Sequence, residues 1–216
     1  MLLDYQPPMT PYLDILYQDD DIVVLNKPSG LLSVPGKAPE HFDSVQYRVQ
    51  RVWPTASVVH RLDMATSGVM VMALNKEAQR NLNRQFQLRQ TAKVYHARVS
   101  GQVLTDSGSI EVPLICDWPN RPKQKVCYQY GKPSLTNFKV LSRTATESRL
   151  QLEPVTGRSH QLRVHLQFIG HPILGDKFYA DKATKTVNRL QLHAVSLRLH
   201  HPGTGICQIF SAFCPF

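Results

Sequence analysis

The feature that most constrains this chain is the stretch Gly68 to Leu74, seven residues without a polar side chain, entered from the polar segment His60 to Ser67 and left at Asn75-Lys76. It is far short of the roughly 18 apolar residues a membrane span needs, and Val69 to Leu74 within it reads as a buried strand. A buried strand requires a core around it. With 42% apolar residues in 216, the chain can supply one, and it is too hydrophobic for a disordered polymer. The length favours one ordinary domain, read as residues 13–216 behind an N-terminal arm of residues 1–12. The amino end, MLLDYQPPMTPYLD, has acid and proline where a secretory signal needs a basic patch and an apolar stretch, so the expected compartment is the cytoplasm, with no membrane segment.

Other strand candidates surround that run at short intervals: Asp14 to Tyr17, Ile22 to Asn26, Val94 to Val99, Val126 to Tyr130, Leu135 to Leu141, Arg149 to Leu152 and Leu190 to Leu199. Three helices interrupt them. Ser44 to Val52 is one. Lys76 to Arg89 has Asn75 as N-cap, Ala78, Leu82 and Phe86 on one face, and Arg80 and Arg84 on the other. Gln161 to Ile169 is closed by Gly170 and Pro172, with Arg163 and His165 off its apolar stripe. Clustered strands without regular βαβ alternation predict an α+β fold with a mainly antiparallel sheet flanked by helices and loops.

Charge narrows the partner. Net charge is +9, but residues 1–26 hold five Asp and no Lys or Arg, so the rest carries 25 basic groups against 11 acidic ones. From Trp118 to Thr146 there are six basic residues and no acid. Such a surface suits a polyanion, with nucleic acid ahead of a merely solvated basic face. Other classes fall away. Residues 30–38 miss the P-loop spacing, Gly203-Thr204-Gly205 lacks the rest of a dinucleotide fingerprint, and no G-x-S-x-G occurs, so no nucleotide cofactor is expected. Neither the four cysteines nor the nine histidines fall in a metal-binding spacing, so no metal is expected and the thiols should be reduced. Nothing indicates an obligate protein partner.

Three clusters could carry chemistry. His60-Arg61-Leu62-Asp63 sets a carboxylate in a polar turn before the buried strand, beside an arginine able to steer a polyanion; an ordinary turn-capping Asp is the bland alternative. Gly157-Arg158-Ser159-His160-Gln161-Leu162-Arg163 gathers donors at a helix N-terminus, where anions dock, although a well-capped core helix would look the same. In Lys93-Val94-Tyr95, alternation puts Val94 and Tyr95 on opposite faces, and Tyr95 facing a cleft would offer a ring for stacking a base.

Taken in order, N-K-P-S-G from Asn26, H-R-L-D-x-x-T-S-G from His60, K-x-Y-x-A-x-V-x-G from Lys93, G-R-S-H-Q-L-R-V-H from Gly157, G-H-P-I-L-G-D from Gly170 and L-H-A-V-S-L from Leu192 resemble the RluA-type RNA pseudouridine synthases. The segment from Pro113 to Cys127 looks like the branch acting on both large-subunit ribosomal RNA and transfer RNA. The resemblance implies the pseudouridine synthase fold with a central catalytic cleft and no cofactor. The sequence departs from many relatives in having only some 13 residues before its first strand, so a catalytic domain without their separate N-terminal RNA-binding domain is expected. Asp63 matches the catalytic carboxylate, Tyr95 the tyrosine that packs on the uracil, and Arg163 the basic residue that pairs with the aspartate. The RNA-facing set is then read as His60 and Arg61 beside the aspartate, Arg61 filling the stack vacated by a flipped uridine and His60, with Thr66 and Ser67, serving more to position than to react. Arg80, Arg84, Arg121, Lys123, Lys125 and Arg158 are read as grips, and Leu192 as a pocket wall. The competing readings are a non-catalytic RNA-binding module and an aspartate-dependent nucleosidase, which would need a second carboxylate.

Overall fold

The computed structural model describes residues 5–180 and 187–216. Its strands are β1 (Ile15–Gln18), β2 (Ile22–Lys27), β3 (Ser57–Val58), β4 (Ser67–Ala73), β5 (Ala92–Ser100), β6 (Ser107–Glu111), β7 (Leu114–Cys116), β8 (Gln124–Val126), β9 (Leu135–Arg143), β10 (Glu147–Pro154), β11 (Leu192–His200) and β12 (Cys207–Ser211). The α-helices are α1 (Val45–Gln50), α2 (Lys76–Gln87) and α3 (Gln161–Phe168). The chain falls into two compact units, one running up to Lys93 and resuming at Ala194–Pro215, the other Val94–His193 with Phe216. Among the described residues no helix is long and apolar enough to cross a membrane.

In the first unit the strand order is β1-β2-β4-β11, with β12 on β11 and β3 on β4. All seven residues of β4 are buried. Val69, Val71 and Ala73 share a core with Ala78 and Leu82 of α2 and with Leu197, Leu199 and Phe210 of β11 and β12, while Met70 and Met72 are buried on the opposite face. Each full burial of a Val, Leu or Met side chain is worth about 1.5–3 kcal/mol, so this strand is the axis of the unit. Asn75 caps α2 as its sequence foretold, its side chain accepting from the Ala78 N–H at 2.8 Å. At the entrance to β4, Gly68 has φ +115°, and a Cβ there would lie 2.2 Å from the Ala194 carbonyl oxygen. The glycine of the T-S-G motif and the L-H-A-V-S-L motif are thus two halves of one close backbone approach. The arm is more firmly held than its composition suggests. Although residues 5–12 lack strand or helix, the Tyr5 hydroxyl donates to Asp43 O and accepts from the Leu32 N–H, and buried Arg48 donates to Tyr12 O.

The second unit is an antiparallel sheet in the order β5-β10-β9-β6, plus the separate ladder β7-β8. The strand expected at Val126 to Tyr130 does not form; the strand here is Gln124–Val126. The ladder stops at Val126 because Cys127 turns away, its N–H bonded to Pro113 O and its carbonyl to the Gly131 N–H. Helix α3 is buried nearly all round, Arg163 and His165 included, so neither residue projects to solvent. Its first turn is tied to the sheet by Gln161, whose amide donates to Leu135 O and Thr136 Oγ1 and whose side-chain oxygen accepts from Thr156 Oγ1 and the Arg158 N–H.

Candidate active site

Asp63 lies in the first unit, half-buried, in the turn closed by the Thr66 N–H on the Asp63 carbonyl. The segment from Lys27 to Ser33 straps that turn down. Ser33 Oγ donates to Leu62 O at 2.6 Å and accepts from the Leu62 N–H at 3.1 Å. The Gly30 N–H reaches Met64 O at 2.8 Å, and Ser29 Oγ donates to Ala65 O at 2.7 Å. Lys27, only 1% exposed, points its ammonium at the carbonyls of Leu31 (2.6 Å), Pro28 (2.9 Å) and Met64 (3.0 Å). The backbone on both sides of Asp63 is therefore fixed before any substrate arrives, which is what a positioned catalytic carboxylate requires.

His60 supports this arrangement from behind. Its Nε2 accepts the Val71 N–H at 3.0 Å and its ring stacks on Phe86 at 4.7 Å. Burial, helped by the Lys93 charge, pushes its pKa down to about 3, so it is a neutral ring holding β4 and α2 together. It has no positive charge at neutral pH to offer RNA, unlike Arg61, which is exposed one residue on. Lys93 itself has its pKa lowered by burial.

Tyr95, Arg163 and Leu192 belong to the second unit. Tyr95 sits on β5 opposite Leu152, half-buried on the face that continues into buried Ala97 and Val99. Arg163 is buried, and its guanidinium holds Asp176 in a two-point pair, Nε to Oδ2 and Nη2 to Oδ1, each at 2.7 Å. Asp176 Oδ1 also accepts the N–H groups of Phe178 and Tyr179, and both rings flank the guanidinium at 5.2 and 5.1 Å. Asp176, from the G-H-P-I-L-G-D motif, is thus the residue that orients Arg163. His160, at φ +53° before α3, is held by its Nδ1 at 2.7 Å from the Tyr179 hydroxyl and by stacking on Phe178. Leu192, at the start of β11, is 2% exposed. On α3, His165 Nε2 is 3.0 Å from Ser134 Oγ, which donates to Val112 O, so the imidazole donates to the serine; burial holds its pKa down to about 4.

The basic candidates lie on exposed surfaces of each unit. Arg80 and Arg84 are exposed on α2 in the first. In the second, Arg121 and Lys125 are exposed and Lys123 half-exposed around the β7-β8 ladder, while Arg158 is exposed just ahead of α3. Among the described residues no group of three or more His, Cys, Asp and Glu side chains is placed to hold a metal. The residues missed by sequence reasoning are those acting at a distance: Lys27, Ser29 and Ser33 in the strap, and Tyr179 against Arg163. For Lys27 and Ser29 the signal was the N-K-P-S-G motif and for Tyr179 the residues after G-H-P-I-L-G-D, but neither names its partner, and Ser33 lies outside both.

A family model described as RNA pseudouridylate synthase matches residues 21–168, a span that contains Asp63, Tyr95 and Arg163. The chain belongs to that family. As a member of it the protein is an RNA-modifying enzyme, an isomerase with the pseudouridine synthase fold. The dual-specificity RNA pseudouridine synthase RluA of Escherichia coli (strain K12) is 56% identical over 215 residues, 99% of this chain and 98% of that protein. Its namesake in Vibrio vulnificus (strain CMCP6) is 56% identical over 207 residues, 93% of this chain and 83% of that one. Among solved structures, human RNA pseudouridylate synthase domain containing 1 aligns with a TM-score of 0.82 at 29% identity, covering 98% of this chain and 87% of that one.

Proposed function

We propose that this synthase isomerises particular uridines in both large-subunit ribosomal RNA and transfer RNA, with Asp63 as its catalytic carboxylate, and that it works in the cytoplasm, where those RNAs are. The reaction breaks the C1′–N1 glycosidic bond, turns the base, joins C1′ to C5, releases the proton from C5 and returns one to N1. No atom is gained or lost overall. Attack on C1′, attack on C6 and passage through a glycal all call for one carboxylate at the same place beside sugar and base. The target atoms are inaccessible within a base stack, so the uridine must be extruded, at a few kcal/mol offset by new contacts. Arg61, exposed two residues before Asp63, is suited to fill the gap. The family resemblance assigns the ring that packs on uracil to Tyr95 and the basic residue to Arg163.

The observation that carries this reading is the strapped Asp63 turn, held from both sides by Lys27, Ser29, Gly30 and Ser33 within the matched family span. Double specificity rests on the names of relatives identical at more than half of nearly all positions. A nucleosidase is not favoured, since Asp176 has both carboxylate oxygens engaged by Arg163.

Tritium release from RNA carrying [5-³H]uridine tests the proposal, because joining C5 to C1′ expels that hydrogen. Transfer RNA and ribosomal RNA fragments should both release it with the wild type, and neither with Asp63→Asn, which should still bind RNA. Release from one RNA class alone would refute dual specificity; release by Asp63→Asn would refute the assignment of Asp63.

A further inference from the structure

The β7-β8 ladder and its two ends carry a group of aromatic side chains that the fold does not use. Trp118 is 63% exposed, Tyr128 74% and Tyr130 70%, although such rings normally supply the largest apolar burial in a domain. They are not on a loose loop. At the tip, the Asp117 N–H bonds to Lys123 O, the Asn120 N–H to Asp117 O and the Asn120 amide to Asp117 Oδ2. At the other end, Leu114 and Lys132 exchange both backbone bonds, and Gly131 packs so closely on Cys127 O and Pro113 that no side chain would fit. The Gln124 N–H donates to the Tyr179 hydroxyl at 2.7 Å, joining the ladder to the ring beside Arg163.

Positive charge is interleaved with these rings. The Arg121 guanidinium lies 4.4 Å from the Trp118 ring, and Lys123, Lys125 and Lys132 accompany it against the single acid Asp117, which pairs with Lys125 at 3.3 Å. Two short strands of three residues separate Trp118 from the tyrosines by roughly 10 Å of backbone, a span suited to a few unstacked nucleotides. Cations alone would grip any phosphate backbone. Rigid exposed rings set among cations add a preference, because only unpaired bases offer their faces.

We infer that Trp118, Tyr128 and Tyr130 form a stacking platform for unpaired bases of an RNA loop, with Arg121 and the neighbouring lysines following its phosphates. This rests on the proposed RNA activity and adds a second contact, which selects looped over fully paired RNA. Stacking on an aromatic ring is worth about 1–3 kcal/mol per base.

The test compares Trp118→Leu, Trp118→Phe and Tyr130→Leu in the full chain, binding a stem-loop RNA and a blunt duplex of equal length. Trp118→Leu and Tyr130→Leu should weaken stem-loop binding about 5- to 150-fold and leave duplex binding unchanged. Trp118→Phe should keep stem-loop affinity within a few-fold. It should also lose the Trp118 share of the fluorescence quenching expected of the wild type on binding, Trp53 remaining in both proteins. Wild-type affinity for the stem-loop in Trp118→Leu and Tyr130→Leu would overturn the inference, as would an equal loss for the duplex. Wild-type protein that neither binds nor isomerises RNA would refute the RNA reading itself, and this inference with it.

Discussion

Replacing Lys27 with Met should loosen the site from beneath. The side chain is almost wholly buried and its ammonium meets three carbonyl oxygens at 2.6, 2.9 and 3.0 Å. Hydrogen bonds to a charged group contribute about 1.5–3 kcal/mol each, against several kcal/mol for burying the cation, a cost that methionine of similar length relieves. The loss that is not relieved falls on the acceptors. Met64 O keeps the Gly30 N–H, but the Pro28 and Leu31 oxygens lose the ammonium, at about 1–3 kcal/mol each. A net loss of about 3 kcal/mol follows, which lowers a urea midpoint by about 1 M for a slope near 3 kcal/mol/M. Turnover should suffer beyond stability, because Met64 adjoins Asp63 and a displacement of about 1 Å can cost 100-fold in rate. Urea unfolding followed by tritium release, at a temperature where the variant stays folded, reads both. A Lys27→Met protein with wild-type midpoint and turnover would refute the strap as the device that positions Asp63.

Acid should weaken the fold through two histidines. His60 is held down to about 3, by burial first and then the Lys93 charge, and His165 to about 4 by burial; both titrate near 6.5 once unfolded. The unfolded chain therefore binds more protons below pH 6.5, so this stability is complete above that pH and declines toward pH 4 and 3, by about 2 kcal/mol for each histidine at pH 5. Urea midpoints for the wild type and His165→Gln should show the variant losing less between pH 7 and 5; equal losses would contradict the assignment. Gly68→Ala should be far more damaging than its size suggests, combining an unfavourable φ with overpacking against the Ala194 backbone for about 2–6 kcal/mol. Soluble Gly68→Ala protein with a wild-type thermal midpoint would show that this close approach is not required.

What the sequence disclosed best was local. The cap at Asn75, the apolar face of α2 and the all-buried β4 follow from spacing within one element. Strands β6, β7 and β12 escaped because Ser107–Glu111, Leu114–Cys116 and Cys207–Ser211 are short and lack a sustained alternating pattern. The Val126 to Tyr130 error has a related cause: alternating apolar letters suited a strand, while the backbone of Cys127 was committed to a turn. In the site, motif order pointed to Asp63 and Arg163, but not to what holds them. Lys27 is 37 residues from Met64 and Asp176 is 13 from Arg163, separations that no periodicity bridges. For His60 the motif likewise did not show what its ring engages, the Val71 N–H.

The strap beneath Asp63 also bears on the thermodynamics of docking. Each carbonyl from Leu62 to Ala65 has its acceptor role filled within the folded protein, so the turn's conformational freedom is lost on folding rather than on encounter with RNA. The entropy of ordering on association then falls mainly on the RNA, which has to unstack a uridine and conform to a surface already set. RNAs whose target base is loosely stacked in the unbound state should consequently meet the least opposition on capture.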